Sequence, residues 1–323
     1  MSCAIIKIGS KMPVPKALPV SLVKFAASKP GAQLHKIRSE ASQRRFFRII
    51  WEKQTCVAMV YPEKSPEEIS RFLKLRGIYE TNGLRVPGLI EILDDQAVIL
   101  EDAGDLLLQR AWSLGSSSER SRLLAQCRKI LIKIAVVSPQ VTAARLDRAR
   151  LHWEMDFFLH YFLPRYPGPG QTSEMLRAVL ARVVENIEPE GTFAHRDFHS
   201  RNLLVQGDEI VLVDFQDSLL APRYYDLVSL AFDSYLDLGR AREVLFSGRE
   251  WTESENRQLR LTALQRNIKA LGTFAFQVFE RKHAAYGKYI PRTLRHIQGH
   301  LRELGDLELR VLSRYFSSVT RNA

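Results

Sequence analysis

The periodicity of this chain changes once, at Gly104, and that change limits the folds open to it. Before it, apolar and polar residues alternate in short runs rich in β-branched and aromatic side chains, at 33–37, 45–51, 56–61, 90–93 and 96–101. Such runs predict strands joined by hairpins. One helix interrupts them at 65–82, with Ser65 as N-cap, Pro66 at the first helical position, Glu68 two residues further on and Asn82-Gly83 as the stop. A shorter helix is expected from Val20 to Pro30-Gly31, after a loosely held arm over 1–18. Beyond Gly104 the pattern is helical over 105–113, 118–138, 149–163, 172–187, 223–238, 253–281 and 291–316. The fold class is α+β, with a small β-rich domain over 1–102 and a larger, mostly helical one over 103–323.

One stretch of the helical half departs from its surroundings. Leu203-Leu204-Val205 and Ile210-Val211-Leu212-Val213 are too short and too β-branched for helices, and Gly207-Asp208 between them marks a turn. Just ahead stands His195-Arg196-Asp197-Phe198-His199-Ser200-Arg201-Asn202, and just behind stands Asp214-Phe215-Gln216-Asp217. A hairpin would gather an Asp, an Asn five residues later and a second Asp. His195 and Arg196 read as loop support.

Composition excludes several classes. At 323 residues the chain can build a sizeable core, and it has no apolar run of the length needed to cross a membrane. The first residues lack a basic segment followed by an apolar one, so a cytoplasmic protein is expected. Three cysteines, Cys3, Cys56 and Cys127, form no CxxC pair and support neither a zinc site nor a disulfide framework. Lys and Arg total 47 against 36 Asp and Glu, a formal charge of +11. The basic residues are scattered on helical faces, as at Arg292, Arg295 and Arg302. They read as solvated faces and attraction for a small anionic substrate, with neither nucleic acid nor membrane as a partner.

The central stretch has a chemical logic. Phosphoryl transfer needs an acceptor hydroxyl held in line, a carboxylate to take its proton, and oxygen donors for Mg²⁺, which keeps most of its waters. Asp197, Asn202 and Asp214 supply that set, and H-R-D-x-x-x-x-N followed by D-F is a kinase signature. The chain resembles the aminoglycoside-phosphotransferase and choline-kinase-like superfamily. Gln216 stands where protein kinases have a glycine, and the strand lysine of V-A-I-K is missing from Val57-Ala58-Met59-Val60. Within that superfamily it is most similar to the bacterial anomeric N-acetylmuramate and N-acetylglucosamine kinases of cell-wall recycling. The likeness is carried by 41–48, 58–59, 195–202, 213–217, 221–235, 268–272 and 289–292.

The resemblance implies a bilobal, protein-kinase-like fold with ATP and Mg²⁺, Asp197 as the base, and Asn202 and Asp214 as metal ligands. It makes Asp226 a brace of the catalytic loop. Ser42 and Arg44 would cover the phosphates, with Arg44 or Lys64 replacing the missing lysine, and Leu100-Glu101-Asp102 would offer backbone groups to adenine. On the acceptor side stand His199, Gln216, Asp217 and Asp233. Two other readings stay open, a kinase of another small alcohol (aminoglycoside, choline or homoserine) and a non-catalytic binding module. Glu154 and Asp156, on an otherwise apolar helix, read as solvent-facing or paired between helices.

Overall fold

Alternation in the first third is realised as one antiparallel sheet. The computed structural model describes residues 5–7, 18–37, 44–189 and 191–322. Strands β1 (Ile5–Lys7), β2 (Gln33–Ile37), β3 (Arg45–Trp51), β4 (Gln54–Val60), β5 (Leu89–Leu93) and β6 (Ala97–Glu101) pair in the order β1-β2-β3-β4-β6-β5. Leu34, Phe47, Ile49, Ala58 and Ile99 project from one face, and the expected helix α1 (Val20–Ala27) covers them with Leu22 and Ala26. β1 falls where a loose arm was expected. Its β-branched Ile5-Ile6 pairs with Leu34 and His35 and covers backbone groups that β2 would otherwise leave open at an edge.

Helix α2 (Pro66–Thr81) buries Ile69, Phe72, Leu75 and Tyr79 and stops at Asn82, followed by Gly83 at φ +64°. Ser65 precedes it but does not cap it. Its hydroxyl donates to the Glu63 carbonyl at 3.1 Å, so the start rests on Pro66.

The chain divides into two compact units, Met1–Asp105 with Leu204–Gln216, and Leu106–Leu203 with Asp217–Ala323. The boundary therefore lies three residues past the expected one, and the hairpin of β8 (Leu203–Gln206) and β9 (Glu209–Leu212) groups with the sheet unit, not the helical one. Its contacts explain this. The Leu212 amide donates to the Arg85 carbonyl at 2.8 Å, and the Arg85 guanidinium reaches Gln206 at 3.4 Å and Glu209 at 3.5 Å. Phe215 stacks on Phe72 at 5.1 Å and packs against Tyr79 at 5.2 Å.

The helical unit contains α3 (Leu108–Leu114), α4 (Ser117–Ala135), α5 (Arg148–Tyr161), α6 (Ser173–Glu185), α7 (Tyr225–Ala231), α8 (Glu243–Phe246), α9 (Glu253–Ala275), α10 (Ile290–Leu304) and α11 (Arg310–Asn322). Capping boxes open α4 (Ser116 with Glu119) and α9 (Thr252 with Glu255). α9 runs through the core and meets α5 at Gly272, where an added Cβ would stand 2.8 Å from the Phe158 Cα. The helix expected over 291–316 is broken at Gly305, in the left-handed region at φ +65°. That expected over 223–238 ends at Ala231. Two strands not foreseen, β7 (Thr192–Ala194) and β10 (Leu219–Ala221), pair antiparallel beside α7. Among the described residues no helix is long and apolar enough to cross a membrane.

Candidate active site

The loop from His195 to Asn202 leaves β7 and enters β8 without a ladder of its own, so its amides need partners from elsewhere. Asp226, in the first turn of α7, accepts from the His195 amide at 2.6 Å and the Arg196 amide at 2.9 Å. Asp233, two residues past α7, accepts from the Ser200 amide at 2.8 Å and the Tyr235 amide at 2.7 Å. Both carboxylates are buried. They fix the two ends of the loop. Arg196 holds φ +75°, a conformation that costs a non-glycine residue roughly 1–3 kcal/mol and persists only where the surroundings enforce it. Its guanidinium lies 3.6 Å from Glu154 of α5, which also accepts from Gln265 of α9 at 2.8 Å. Glu154 is thus paired between helices, while Asp156 meets Arg177 at the surface.

Within the loop, the Asp197 carbonyl accepts from the His199 amide at 2.9 Å and from Asn202 Nδ2 at 3.0 Å. The NH₂ end of Asn202 is thereby committed, and its oxygen is the end open to a cation. The Asp197 side chain keeps 31% exposure, and Lys269 Nζ of α9 stands 3.8 Å from its Oδ1. Burial pushes this carboxyl up, but Lys269, Arg196 and Arg266, joined by His199 once that ring is protonated in acid, outweigh it and hold the group well below the usual carboxylate range. His199 is pushed down to about 3 by burial in spite of Asp197, so it is neutral near pH 7; its ring meets Tyr235 edge-on at 4.9 Å. Burial raises Asp226 to about 7 against the pull of its two amides, and raises Asp233 as well.

Asp214 follows β9 by two residues and also takes a positive φ, +65°. Its side chain is 49% exposed, and Gln216 Nε2 donates to Oδ1 at 2.8 Å. Arg44 reaches the same oxygen at 3.5 Å and lies 3.7 Å from the Met59 sulfur. Ser42, the other expected phosphate contact, lies outside the described residues.

The expected adenine contacts are partly spoken for. Leu100 is buried in β6. The Glu101 amide donates to the Gly88 carbonyl at 2.7 Å, and its carboxylate binds Arg85 and the Gly88 amide, so that amide is not available to a base. Asp102 is gripped by Arg48, at 2.6 Å from Nε and 2.9 Å from Nη2, and accepts from the Gly104 amide. These side chains hold the chain segment; any adenine contact falls to the other backbone groups.

One acceptor-side expectation changes. Asp233 is 1% exposed with both oxygens taken by backbone amides, so it braces the loop and cannot reach a sugar. Gln216 donates one N–H to Asp214. Asp217 acts on Arg196 electrostatically. His195 is fully buried against Phe198, as scaffold. Lys269 was not foreseen as a site residue; the available signal was a single cation inside the apolar run Ile268-Lys269-Ala270-Leu271.

The model of the phosphotransferase enzyme family matches residues 33–259. Among curated proteins, the N-acetylmuramate/N-acetylglucosamine kinase of Pseudomonas aeruginosa is 27% identical over 303 residues, spanning 86% of this chain and 88% of the relative. The protein of the same name from Neisseria meningitidis serogroup B is 23% identical over 290 residues, 83% and 86% of the two chains. Similar solved structures include the ADP-bound aminoglycoside phosphotransferase APH(2'')-Ib, with a TM-score of 0.58 at 14% identity over 87% of this chain and 99% of that one. A choline/ethanolamine kinase family protein from Mesorhizobium loti gives 0.59 at 15% identity over 88% and 92%. These likenesses show the kinase-like fold.

Proposed function

The chain belongs to the phosphotransferase enzyme family and is a kinase, and on that premise we propose that it moves the γ-phosphoryl group of ATP to a small amino sugar. The acceptor is the anomeric hydroxyl of N-acetylmuramate or N-acetylglucosamine, and the work is done in the cytoplasm, where ATP is supplied. The observation that carries this reading is the loop pinned at both ends by Asp226 and Asp233, with Asp197 and Asn202 tied together inside it. Relatives bearing the sugar-kinase name over more than four-fifths of the chain support the acceptor class.

Asp197 orients the hydroxyl and accepts its proton as the oxygen attacks; Lys269 keeps it ionised for that task. The donor set suits Mg²⁺: an amide oxygen on Asn202 whose NH₂ end is engaged, and a half-exposed carboxylate on Asp214. Bound Mg²⁺ supplies neutralisation of the charge on the transferring group. Arg44 takes the part of the missing strand lysine on the phosphate side. The formal charge of +11 favours an anionic or neutral acceptor over aminoglycosides and choline, which carry positive charge.

Release of ADP with N-acetylmuramate, N-acetylglucosamine, kanamycin, choline and homoserine in turn tests the reading. Turnover is expected with the two amino sugars. Turnover with kanamycin or choline and none with either sugar overturns the acceptor assignment.

A further inference from the structure

A cavity of about 360 Å³ opens inside the helical unit between α4, β7, the start of α7 and the segment 245–251. Nothing in the proposed transfer uses it. Its walls are apolar where Leu131, Ile134, Phe193 and Leu245 meet, and three guanidinium groups line it, those of Arg128, Arg223 and Arg249. Arg223 and Arg249 share the Glu255 carboxylate, and Arg249 lies over the Trp251 ring at 4.0 Å. Arg128 is half-buried and has no carboxylate or hydrogen-bond partner among the described residues. A side chain at Gly248 would overlap its Nη2, so the guanidinium occupies the space that this glycine leaves.

The charges do not balance here. Three arginines line the cavity against one carboxylate, Asp226, whose oxygens are committed to the loop amides; Glu255, outside the lining, pairs with Arg223 and Arg249 but not with Arg128. The Trp251 N–H is already spent on the Phe246 carbonyl at 2.8 Å, so its ring offers an apolar face and no donor. A cavity of this size, apolar within and carrying an unpaired guanidinium, matches a flat compound with one anionic group. We propose that it binds a small aromatic anion, with the ring in the apolar slot beside Trp251 and the anionic group on Arg128. Its occupation bears on the catalytic loop, because the same walls lead directly into it: Phe193 and Ala194 precede His195, and Asp226 holds the His195 and Arg196 amides.

The test uses the full chain and 1-anilinonaphthalene-8-sulfonate as probe, with uncharged N-phenyl-1-naphthylamine beside it. Fluorescence titration is expected to show one saturable site. Arg128→Met should weaken it about tenfold or more, and the uncharged probe should be weaker by a comparable factor. Ala135→Trp, built from an exposed position of α4 at the cavity, should abolish binding. Binding left unchanged by both substitutions, or equal binding of the uncharged probe, overturns the site. Saturation should also slow hydrogen exchange at the His195 and Arg196 amides, and unchanged exchange overturns the link to the loop. Neither readout depends on phosphoryl transfer or on the identity of its acceptor.

Discussion

Asp197 and Asp214 flank the same hairpin and live in opposite surroundings. Asp197 sits in a loop whose amides are held by two buried carboxylates and whose charge is set by Lys269, Arg196 and Arg266. Asp214 is half-exposed, in a strained conformation, and touched on one oxygen by Gln216 and Arg44. The first is positioned by the protein before any ligand arrives. The second stays open to solvent, as the proposed metal ligand would need to be. A base benefits from fixed geometry, because misplacement by an ångström is costly, whereas a metal ligand needs an open oxygen and an approach through solvent.

The sharpest way to break this contrast is to neutralise each carboxylate in turn. Asp197→Asn should lower kcat by roughly 10²–10⁴-fold with nucleotide affinity retained, whereas Asp214→Asn should weaken binding of nucleotide measured with Mg²⁺ and leave binding without it nearly unchanged. Calorimetric titration with and without the metal separates them. Equal behaviour of the two variants would dissolve the distinction.

Removing a brace comes next in size. Asp226→Asn offers one acceptor oxygen to two amides and sets an NH₂ group against the other, so a loss of about 1–3 kcal/mol is expected in urea melting. The pH dependence has a definite sign. The Asp226 carboxyl is raised by burial to about 7, so between pH 4 and 7 the folded state holds a proton that the unfolded chain has released. Stability from this group therefore falls as pH rises through that window, and Asp226→Asn should flatten that part of the profile. Asp197 has the opposite sign: held below its ordinary 3.8, it contributes stability above that value and loses it in acid. Lys269→Met should accordingly move the acid limb of kcat/KM to higher pH, with no corresponding shift for a variant on the Asp214 side such as Arg44→Met.

The hairpin itself was legible in the sequence, because Gly207-Asp208 separates two β-branched runs that no helix would use, and the spacing of Asp197, Asn202 and Asp214 followed from it. Its place with the sheet unit was not. That depends on Arg85 meeting Gln206, 121 residues away, and on Phe215 meeting α2, neither of which local periodicity encodes. Asp233 was misread for the same reason. The resemblance put Asp233 on the acceptor side, and only the fold shows it buried against the Ser200 amide. β7 and β10 escaped because three-residue strands show no alternation. Lys269 lay in plain view, but only packing of α9 against the loop gives it a role.

Smaller effects test the frame around the two carboxylates. Gly272→Ala would gain about 1 kcal/mol of helix propensity but press a methyl group into the α5 backbone, and a net loss of about 1–3 kcal/mol is expected. Ser65→Ala, by contrast, removes a hydroxyl that caps nothing and should leave thermal stability within about 0.5 kcal/mol.

Asp197 driving transfer to an amino-sugar hydroxyl is the central step of the proposed reaction. Phosphorus NMR of the product formed from ATP and N-acetylglucosamine or N-acetylmuramate, with the natural chain and with Asp197→Asn side by side, tests that directly. The expected result is phosphate on the anomeric carbon from the natural chain and, in the same time, about a hundredth of that product or less from the variant. Phosphate on another carbon, or near-normal product formation by Asp197→Asn, would contradict it.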